Sequence, residues 1–258
     1  MPPATVNPLK ARLAAGGVGV GILVSMPSVG LVQTLADVGY DWLFIDMEHG
    51  PIGIESAHAM IAATKGTGAA PLVRVPWNVP WLVKPVLDAG AMGIVFPMIR
   101  SQAEAEAAVA SLHYPPAGVR GSGPFFAPPR FGLSTEEYTA RASEEIFSLL
   151  LIEHRDAVED IERIVAVPGI DGLLIAPFDL AMSYGHRDGP DHPEVHDAVA
   201  RVEAAVLGTR VALGGFAAEA EGANARIARG YRLILTGYDL LLLRRVTGEL
   251  LGALRRDG

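Results

Sequence analysis

The chain has 258 residues, of which 50% are hydrophobic, 19% are charged and none is cysteine. The lack of cysteine excludes a disulfide scaffold, a thiolate metal site and a cysteine nucleophile, and the net charge of −8 disfavours nucleic acids and anionic membranes as partners. No apolar run is long enough for a secretion signal or a membrane span. We therefore expect a soluble, cytoplasmic protein.

Short apolar runs and longer stretches of helical character alternate along the whole chain. Eight strands are predicted, at 18–24, 42–46, 71–75, 93–97, 147–153, 172–176, 211–216 and 233–236. The helical stretches that follow them include 57–64, 103–112, 156–165, 194–207 and 238–254. Most of the strands are apolar throughout, which is typical of parallel strands with both faces buried.

Eight strand-then-helix units in 258 residues amount to about one unit per 32 residues. This spacing predicts an α/β fold, a single-domain (β/α)₈ TIM barrel that spans residues 1–258. A doubly wound sheet is the alternative, but no G-x-G-x-x-G turn follows the first strand. The long connection at 114–131 is rich in Pro and Gly, and we expect it to cover an active site.

Polar residues stand at the carboxyl ends of several predicted strands, where parallel barrels place their catalytic groups. They are Asp46, Glu48 and His49 after the second strand, Arg74 in the third, Glu153 at the end of the fifth and Asp179 after the sixth. Any one of them could be a solvated loop residue or a helix cap. A charged group that closes a buried strand, however, must be paired or functional.

Glu153 and Asp179 end consecutive strands, so we expect their side chains to converge above the rim of the barrel. Two carboxylates suit an ion such as Mg²⁺ or Mn²⁺, which keeps water ligands and leaves positions for a chelating substrate. The alternatives are that Asp179 caps the helix that follows it and that Glu153 forms an ion pair with Arg155.

Arg74 lies inside an apolar strand, where a guanidinium needs an anionic partner. A substrate carboxylate or enolate would serve, and so would a structural pair with Asp46 or Glu48. His49 lies in a turn beside two acids, an environment that suits an imidazole for proton transfer.

Covalent amine catalysis is disfavoured because the three lysines, Lys10, Lys65 and Lys84, all lie away from the carboxyl ends of the predicted strands.

A series of segments resembles one known family. In chain order they are FIDMEHGP (44–51), LVRVPWN (72–78), VLDAG (86–90), FPMIRS (96–101), YPPAGVRGSG (114–123), LIEH (151–154) and APFDLAMSYG (176–185). They resemble the HpcH/HpaI family of class II, metal-dependent 2-oxo acid aldolases, which belong to the phosphoenolpyruvate/pyruvate barrel superfamily. The resemblance extends over nearly the whole chain.

By residue, the resemblance implies His49 as the acid/base, Asp88 as its partner, and Arg74 on the keto oxygen of the substrate. It also implies Glu153 and Asp179 as ligands of the metal. Two positions depart from the family pattern: Leu151 stands where many members have Gln, and Phe178 stands in a segment that reads Gly-Pro-Ala-Asp in other members. Both departures bear on the choice of substrate.

The expected reaction is the reversible cleavage of a 4-hydroxy-2-oxo acid into pyruvate, or a close analogue such as hydroxypyruvate, and an aldehyde. The expected cofactor is a divalent ion, Mg²⁺, Mn²⁺ or Co²⁺. Substrate contacts are expected from Arg74, Trp77, Phe178, Asp179 and Phe216. The alternatives are an oxaloacetate decarboxylase or a related metal-dependent carbon–carbon lyase, and a non-catalytic barrel that binds a keto acid.

The last predicted helix, 238–254, contains four consecutive leucines at 240–243 and further apolar residues at 246, 250, 251 and 254. These are too many apolar sides for a helix that rests on one barrel. In the superfamily that the sequence resembles, the last helix often packs on a neighbouring subunit. We therefore expect a homo-oligomer, a hexamer arranged as a trimer of dimers.

Overall fold

Eight parallel strands close into one barrel, which confirms the predicted single-domain (β/α)₈ fold. The computed structural model describes residues 6–255, and the predicted domain ends at residues 1 and 258 lie outside them. The strands are β1 (Gly19–Val24), β2 (Trp42–Asp46), β3 (Ala70–Arg74), β4 (Gly93–Phe96), β5 (Phe147–Ile152), β6 (Gly172–Ile175), β7 (Ala212–Phe216) and β8 (Leu233–Tyr238). Each strand pairs with the next, and β8 pairs with β1.

Helices connect the strands around the outside of the barrel. They are α1 (Pro8–Ala14), α2 (Val29–Val38), α3 (Ile54–Ala63), α4 (Pro80–Asp88), α5 (Gln102–Leu112), α6 (Ala127–Phe131), α7 (Thr135–Glu145), α8 (Arg155–Glu159), α9 (Ile161–Val165), α10 (Pro177–Tyr184), α11 (Pro193–Val206), α12 (Ala220–Ala228) and α13 (Asp239–Ala253). Among residues 6–255, none of these helices combines the length and apolar character needed to cross a bilayer.

The predicted helix at 156–165 is wrong in one respect, because the structure divides it into α8 and α9. The break is at Asp160, which lies between the two helices. Its carboxylate accepts a hydrogen bond from the backbone N–H of Gln102 at 2.7 Å. Asp160 therefore ties this connection to the start of α5.

Alternate residues of the strands fill the interior of the barrel. The interior cluster includes Trp42 and Phe44 on β2, Ala70 and Leu72 on β3, and Leu149 and Leu151 on β5. The residues between them pack outward beneath the helices. Because side chains alternate with a period of two, the next inward positions are Asp46, Arg74 and Glu153. The barrel interior is therefore apolar up to its carboxyl end and charged there.

Helix α1 closes the opposite, amino-terminal end of the barrel. Its Leu9 and Leu13 belong to the interior cluster, and the preceding Asn7 is fully buried. The Asn7 side chain donates to the backbone carbonyls of Met92 and Glu145 at 2.7 Å each and accepts from the N–H of Leu9 at 3.1 Å. This network satisfies a buried amide that would otherwise be costly.

The connection at 114–131 does not cover the carboxyl end of the barrel, contrary to the expectation. It packs against α4 through Arg120, whose side chain is fully buried. The Arg120 guanidinium donates to Asp88 at 2.8 Å and to the hydroxyl of Tyr138 at 3.1 Å, and it lies over the ring of Tyr114. Because a buried guanidinium needs an anionic partner, this pairing fixes the connection on the outside of the barrel.

Candidate active site

Arg74, the last residue of β3, is held by two carboxylates. Its Nε and Nη2 donate to the two oxygens of Asp46 at 2.8 and 2.6 Å, and its Nη1 lies 3.0 Å from Oε2 of Glu48. Asp46 is the register partner of Arg74 on β2, so the contact joins the ends of two adjacent strands. The structural partner considered for Arg74 is therefore present. Each Nη still carries a second N–H that can face a ligand.

Glu153 follows β5 directly and is buried, with 4% of its surface exposed. Its Oε1 accepts a hydrogen bond from the backbone N–H of Met98 at 2.5 Å. Met98 has a φ of 55°, a conformation that is uncommon for a residue other than glycine. Burial raises the pKa of Glu153 to about 7, and the nearby carboxylates of Asp179 and Glu48 add to this effect.

Asp179 lies in the first turn of α10, which begins where β6 ends. The residue at the cap position of this helix is Ala176, and no side-chain cap hydrogen bond is formed there. Arg155 does not pair with Glu153; it makes its ion pair with Asp156, at 3.8 Å. Neither alternative considered for the two carboxylates is therefore present in the structure.

The charges at this end of the barrel do not balance. Asp46 is neutralised by Arg74. Burial raises the pKa of Glu48, and the carboxylates of Asp46 and Asp179 add to this effect. Glu48 and Asp179 in turn raise the pKa of Glu153. The buried Oε2 of Glu48 also lacks a hydrogen bond of good geometry. Oxygen ligands with excess negative charge are the donor set of a hard divalent cation, so the residues fit the expected metal.

His49 lies in the turn after β2, and its side chain is 69% exposed, with Nε2 3.8 Å from Glu48. It lines a cavity of about 310 Å³ at the carboxyl end of the barrel. Arg74, Phe178, Asp179 and Phe216 line the same cavity. The structure therefore brings five of the predicted site residues to one space, and buried Glu153 lies close enough to Asp179 and Arg74 to interact electrostatically.

Two predicted site residues lie elsewhere. Trp77 does not line this cavity. The chain turns sharply before α4, where the N–H of Val79 donates to the carbonyl of Trp77, and the indole is half exposed.

Asp88 is the last residue of α4 and pairs with Arg120. A larger cavity of about 630 Å³, between α3 and α4 on the outside of the barrel, is lined by Asp88 and not by His49. Within one chain, Asp88 is therefore not the partner of His49.

Two residues of the site, Met98 and Tyr238, were not predicted from the sequence. Tyr238 is the last residue of β8 and lines the cavity, but the predicted strand ended at 236 and residue 238 was assigned to the helix that follows. Met98 acts through its backbone N–H, and a left-handed conformation at a methionine has no signal in the sequence.

A second cluster of metal-ligand types lies beyond α10, formed by His186, His192 and Glu194 with ligand atoms within 4.8 Å of one another. The two imidazole rings are stacked at 3.5 Å with their planes 20° apart, and Nε2 of His186 lies 2.9 Å from Glu194. Stacked rings direct their nitrogen lone pairs side by side rather than toward one ion. This cluster is separate from Glu153 and Asp179, the two carboxylates that the sequence predicts as the metal site.

Comparisons with known proteins point to one family. The family model described as HpcH/HpaI aldolase/citrate lyase matches residues 21–245. The hydroxypyruvate/pyruvate aldolase of Roseovarius nubinhibens is 34% identical, with 99% of each chain covered. A 4-hydroxy-2-oxo-heptane-1,7-dioate aldolase of Escherichia coli is 32% identical over 95% of this chain and 93% of its own. The crystal structure of an HpcH/HpaI aldolase/citrate lyase family protein from Burkholderia cenocepacia is 37% identical, with a TM-score of 0.88, and covers 95% of this chain and 98% of its own.

The raised pKa of Glu153 predicts the pH dependence of stability in metal-free protein. Because the folded pKa is about 7 and the ordinary value is 4.5, the folded state holds the proton more tightly. The resulting stability is fully present below about pH 4.5 and is lost as the pH rises through about 7. Glu153→Gln, which stays neutral, should therefore raise the free energy of unfolding at about pH 8 by up to about 3 kcal/mol and change it little at low pH.

This prediction is checked by thermal unfolding in EDTA across that pH range, with Glu144→Gln on the exposed face of α7 as the matched control. Parallel pH profiles for wild type and Glu153→Gln would contradict it.

Proposed function

Because the chain belongs to the HpcH/HpaI aldolase/citrate lyase family and is a carbon–carbon lyase, we propose that it cleaves 4-hydroxy-2-oxo acids reversibly. The products are pyruvate, or a close analogue such as hydroxypyruvate, and an aldehyde. One observation carries the proposal: Arg74 and the carboxylates of Glu153 and Asp179 surround one end of the barrel, with His49 on the same cavity. The names of the relatives, which are 2-oxo acid aldolases, support this reaction.

The cofactor in this proposal is a divalent ion, Mg²⁺, Mn²⁺ or Co²⁺, held by Glu153 and Asp179. Such an ion would supply a Lewis acid for the carboxylate and keto oxygens of the substrate. The backbone N–H of Met98 holds one oxygen of the Glu153 carboxylate, and the second oxygen would be the ligand of the ion.

Arg74 orients the keto oxygen and stabilises the negative charge that it gains. The bidentate contact with Asp46 holds the guanidinium plane in place before substrate binds, so no reorganisation is needed as charge develops. The two remaining N–H groups, one on each Nη, are the donors for this oxygen.

His49 moves the proton. In cleavage, His49 takes the proton of the C4 hydroxyl, the C3–C4 bond breaks, and its electron pair forms the enolate of pyruvate while C4 becomes the aldehyde carbon. Protonation of C3 then releases pyruvate. In synthesis, His49 returns the proton to the new hydroxyl. The exposed position of His49 allows it to exchange this proton with solvent.

Decarboxylation of oxaloacetate is a second candidate, since the same residues favour it. It produces the same enolate, so Arg74, Glu153 and Asp179 would serve both reactions. It involves no C4 hydroxyl proton and therefore no proton transfer by His49.

Activity should require a divalent ion. Protein treated with EDTA should release no pyruvate from 4-hydroxy-2-oxo acids, and Mg²⁺, Mn²⁺ or Co²⁺ should restore the release. Asp179→Asn should lose the activity that the metal restores, whereas Asp156→Asn, the equivalent first-turn acid of α8, should keep it. Full turnover after removal of the metal would show that the reaction needs no such ion.

Arg74 and His49 should separate the two reactions. His49→Ala should slow aldol cleavage by about 10²- to 10⁴-fold and affect oxaloacetate decarboxylation much less. Arg74→Lys should slow both reactions by about 10²- to 10³-fold. Lysine is chosen because it keeps a cation beside Asp46 and Glu48, whereas Arg74→Ala would leave these carboxylates without one. Steady-state rates on both substrates, with thermal unfolding as a check of folding, provide the measurement. Equal losses for His49→Ala in both reactions would assign it a role other than proton transfer.

We further propose that the chain forms a homo-oligomer through α13, a hexamer built from dimers. The large apolar residues that α13 exposes by more than half are Leu243, Val246, Leu250 and Leu251, and Leu254 follows them. Light scattering at micromolar concentration should report the hexamer. Leu250→Glu should shift the mass to a smaller species, while Glu249→Ala, the adjacent position, should not. A monomeric wild type would contradict the proposal.

A further inference from the structure

The cavity at the carboxyl end of the barrel has two chemically different sides. Its polar side carries Arg74, His49 and Asp179. Its other side is apolar and aromatic, formed by Leu23, Leu151, Leu174, Phe178, Phe216, Leu235 and Tyr238. Two of the aromatic residues stand at the mouth: Phe178 is 59% exposed and Tyr238 is 38% exposed.

The division follows from the order of the strands. Asp46 and Arg74 come from the neighbouring strands β2 and β3. Phe216 and Tyr238 are the last residues of β7 and β8, and Leu23 lies on β1, which pairs with β8. Leu23, Phe216 and Tyr238 therefore form a continuous arc on three neighbouring strands, and Phe178 extends it at the start of α10. Leu151 and Leu174 belong to the apolar interior of the barrel.

The two sides constrain how a substrate can lie, an argument that rests on the proposed function. The carboxylate and keto group of the 2-oxo acid belong beside Arg74 and Asp179, and C4 must lie within reach of His49. The substituent on C4, which leaves with the aldehyde, then occupies the rest of the cavity, against Phe178, Phe216 and Tyr238.

That part of the cavity is unsuited to a negatively charged substituent. Within residues 6–255, Arg74 is the one Lys or Arg that lines the cavity, and it already contacts Asp46 and Glu48. A carboxylate placed against the aromatic arc would lose water without gaining a cation. An apolar substituent would instead bury its surface there.

We propose that the aldehyde released or accepted by this chain carries an uncharged, apolar substituent, and that Phe178, Phe216 and Tyr238 select it. The 2-oxo acid is held by the charged side of the cavity and the aldehyde by the aromatic side. Phe178, Phe216 and Tyr238 are thus specificity-determining residues for one of the two products.

The test compares two aldehydes of nearly equal shape, succinic semialdehyde and 4-methylpentanal, in which an isopropyl group replaces the carboxylate. The kcat/KM of each is measured with saturating pyruvate and Mg²⁺. The apolar aldehyde should be preferred by at least about tenfold. A preference for succinic semialdehyde, or none, would overturn the inference and leave the proposed function standing. Reaction of neither aldehyde, with pyruvate or hydroxypyruvate, would overturn both.

Variants connect the preference to the aromatic arc. Phe178→Ala should lower kcat/KM for 4-methylpentanal by about tenfold and for succinic semialdehyde much less, and Phe178→Arg should reverse the preference. Met182→Ala is the matched control, because Met182 lies on the same helix with 58% exposure and does not line the cavity. Phe216→Ala provides an independent test on another strand. An unchanged preference in both alanine variants would overturn the assignment of these residues.

Discussion

A closed parallel barrel sends every second residue of each strand into one interior, and the candidate site depends on where those inward rows end. On β2, β3 and β5 the rows are apolar from the amino-terminal end upward and finish in Asp46, Arg74 and Glu153. These charged groups therefore lie directly above an apolar interior, and water can screen them only from the open end of the barrel. Their mutual interactions are stronger there than they would be on an open surface.

The carboxylates at this end of the barrel differ in how well they are paired, because Asp46 contacts Arg74 directly and Glu153 is held by a backbone N–H. Asp46 stabilises the guanidinium with two hydrogen bonds and costs the barrel little, because both charges are satisfied. Glu153 has one backbone donor, from Met98, and its remaining negative charge opposes folding in the absence of a cation. Stability and the proposed function are therefore in tension at this residue, as is common where a site is preorganised for a ligand.

Much of the fold and the core of the site could be predicted, because continuous apolar strands and the charged residues that end them are local signals. The eight strands and the convergence of Glu153 with Asp179 depend on these signals alone. The outer positions could not be predicted in this way. The Pro- and Gly-rich connection gives no sign that Arg120 is buried against Asp88, and the position of Trp77 depends on a turn after β3. Asp88 lies at the far end of α4, where one chain gives it no contact with His49.

The closure of the amino-terminal end by Asn7 links residues that are synthesised at very different times. Asn7 bonds to Met92 and Glu145, and the β1 strand that follows α1 pairs on one side with β8. During translation, the contacts of Asn7 at the start of α1 cannot all form until residue 145 has emerged. One edge of β1 stays unpaired until residue 238 has emerged. Because domains generally fold as units, we expect the barrel to close only after β8 has emerged to pair with β1.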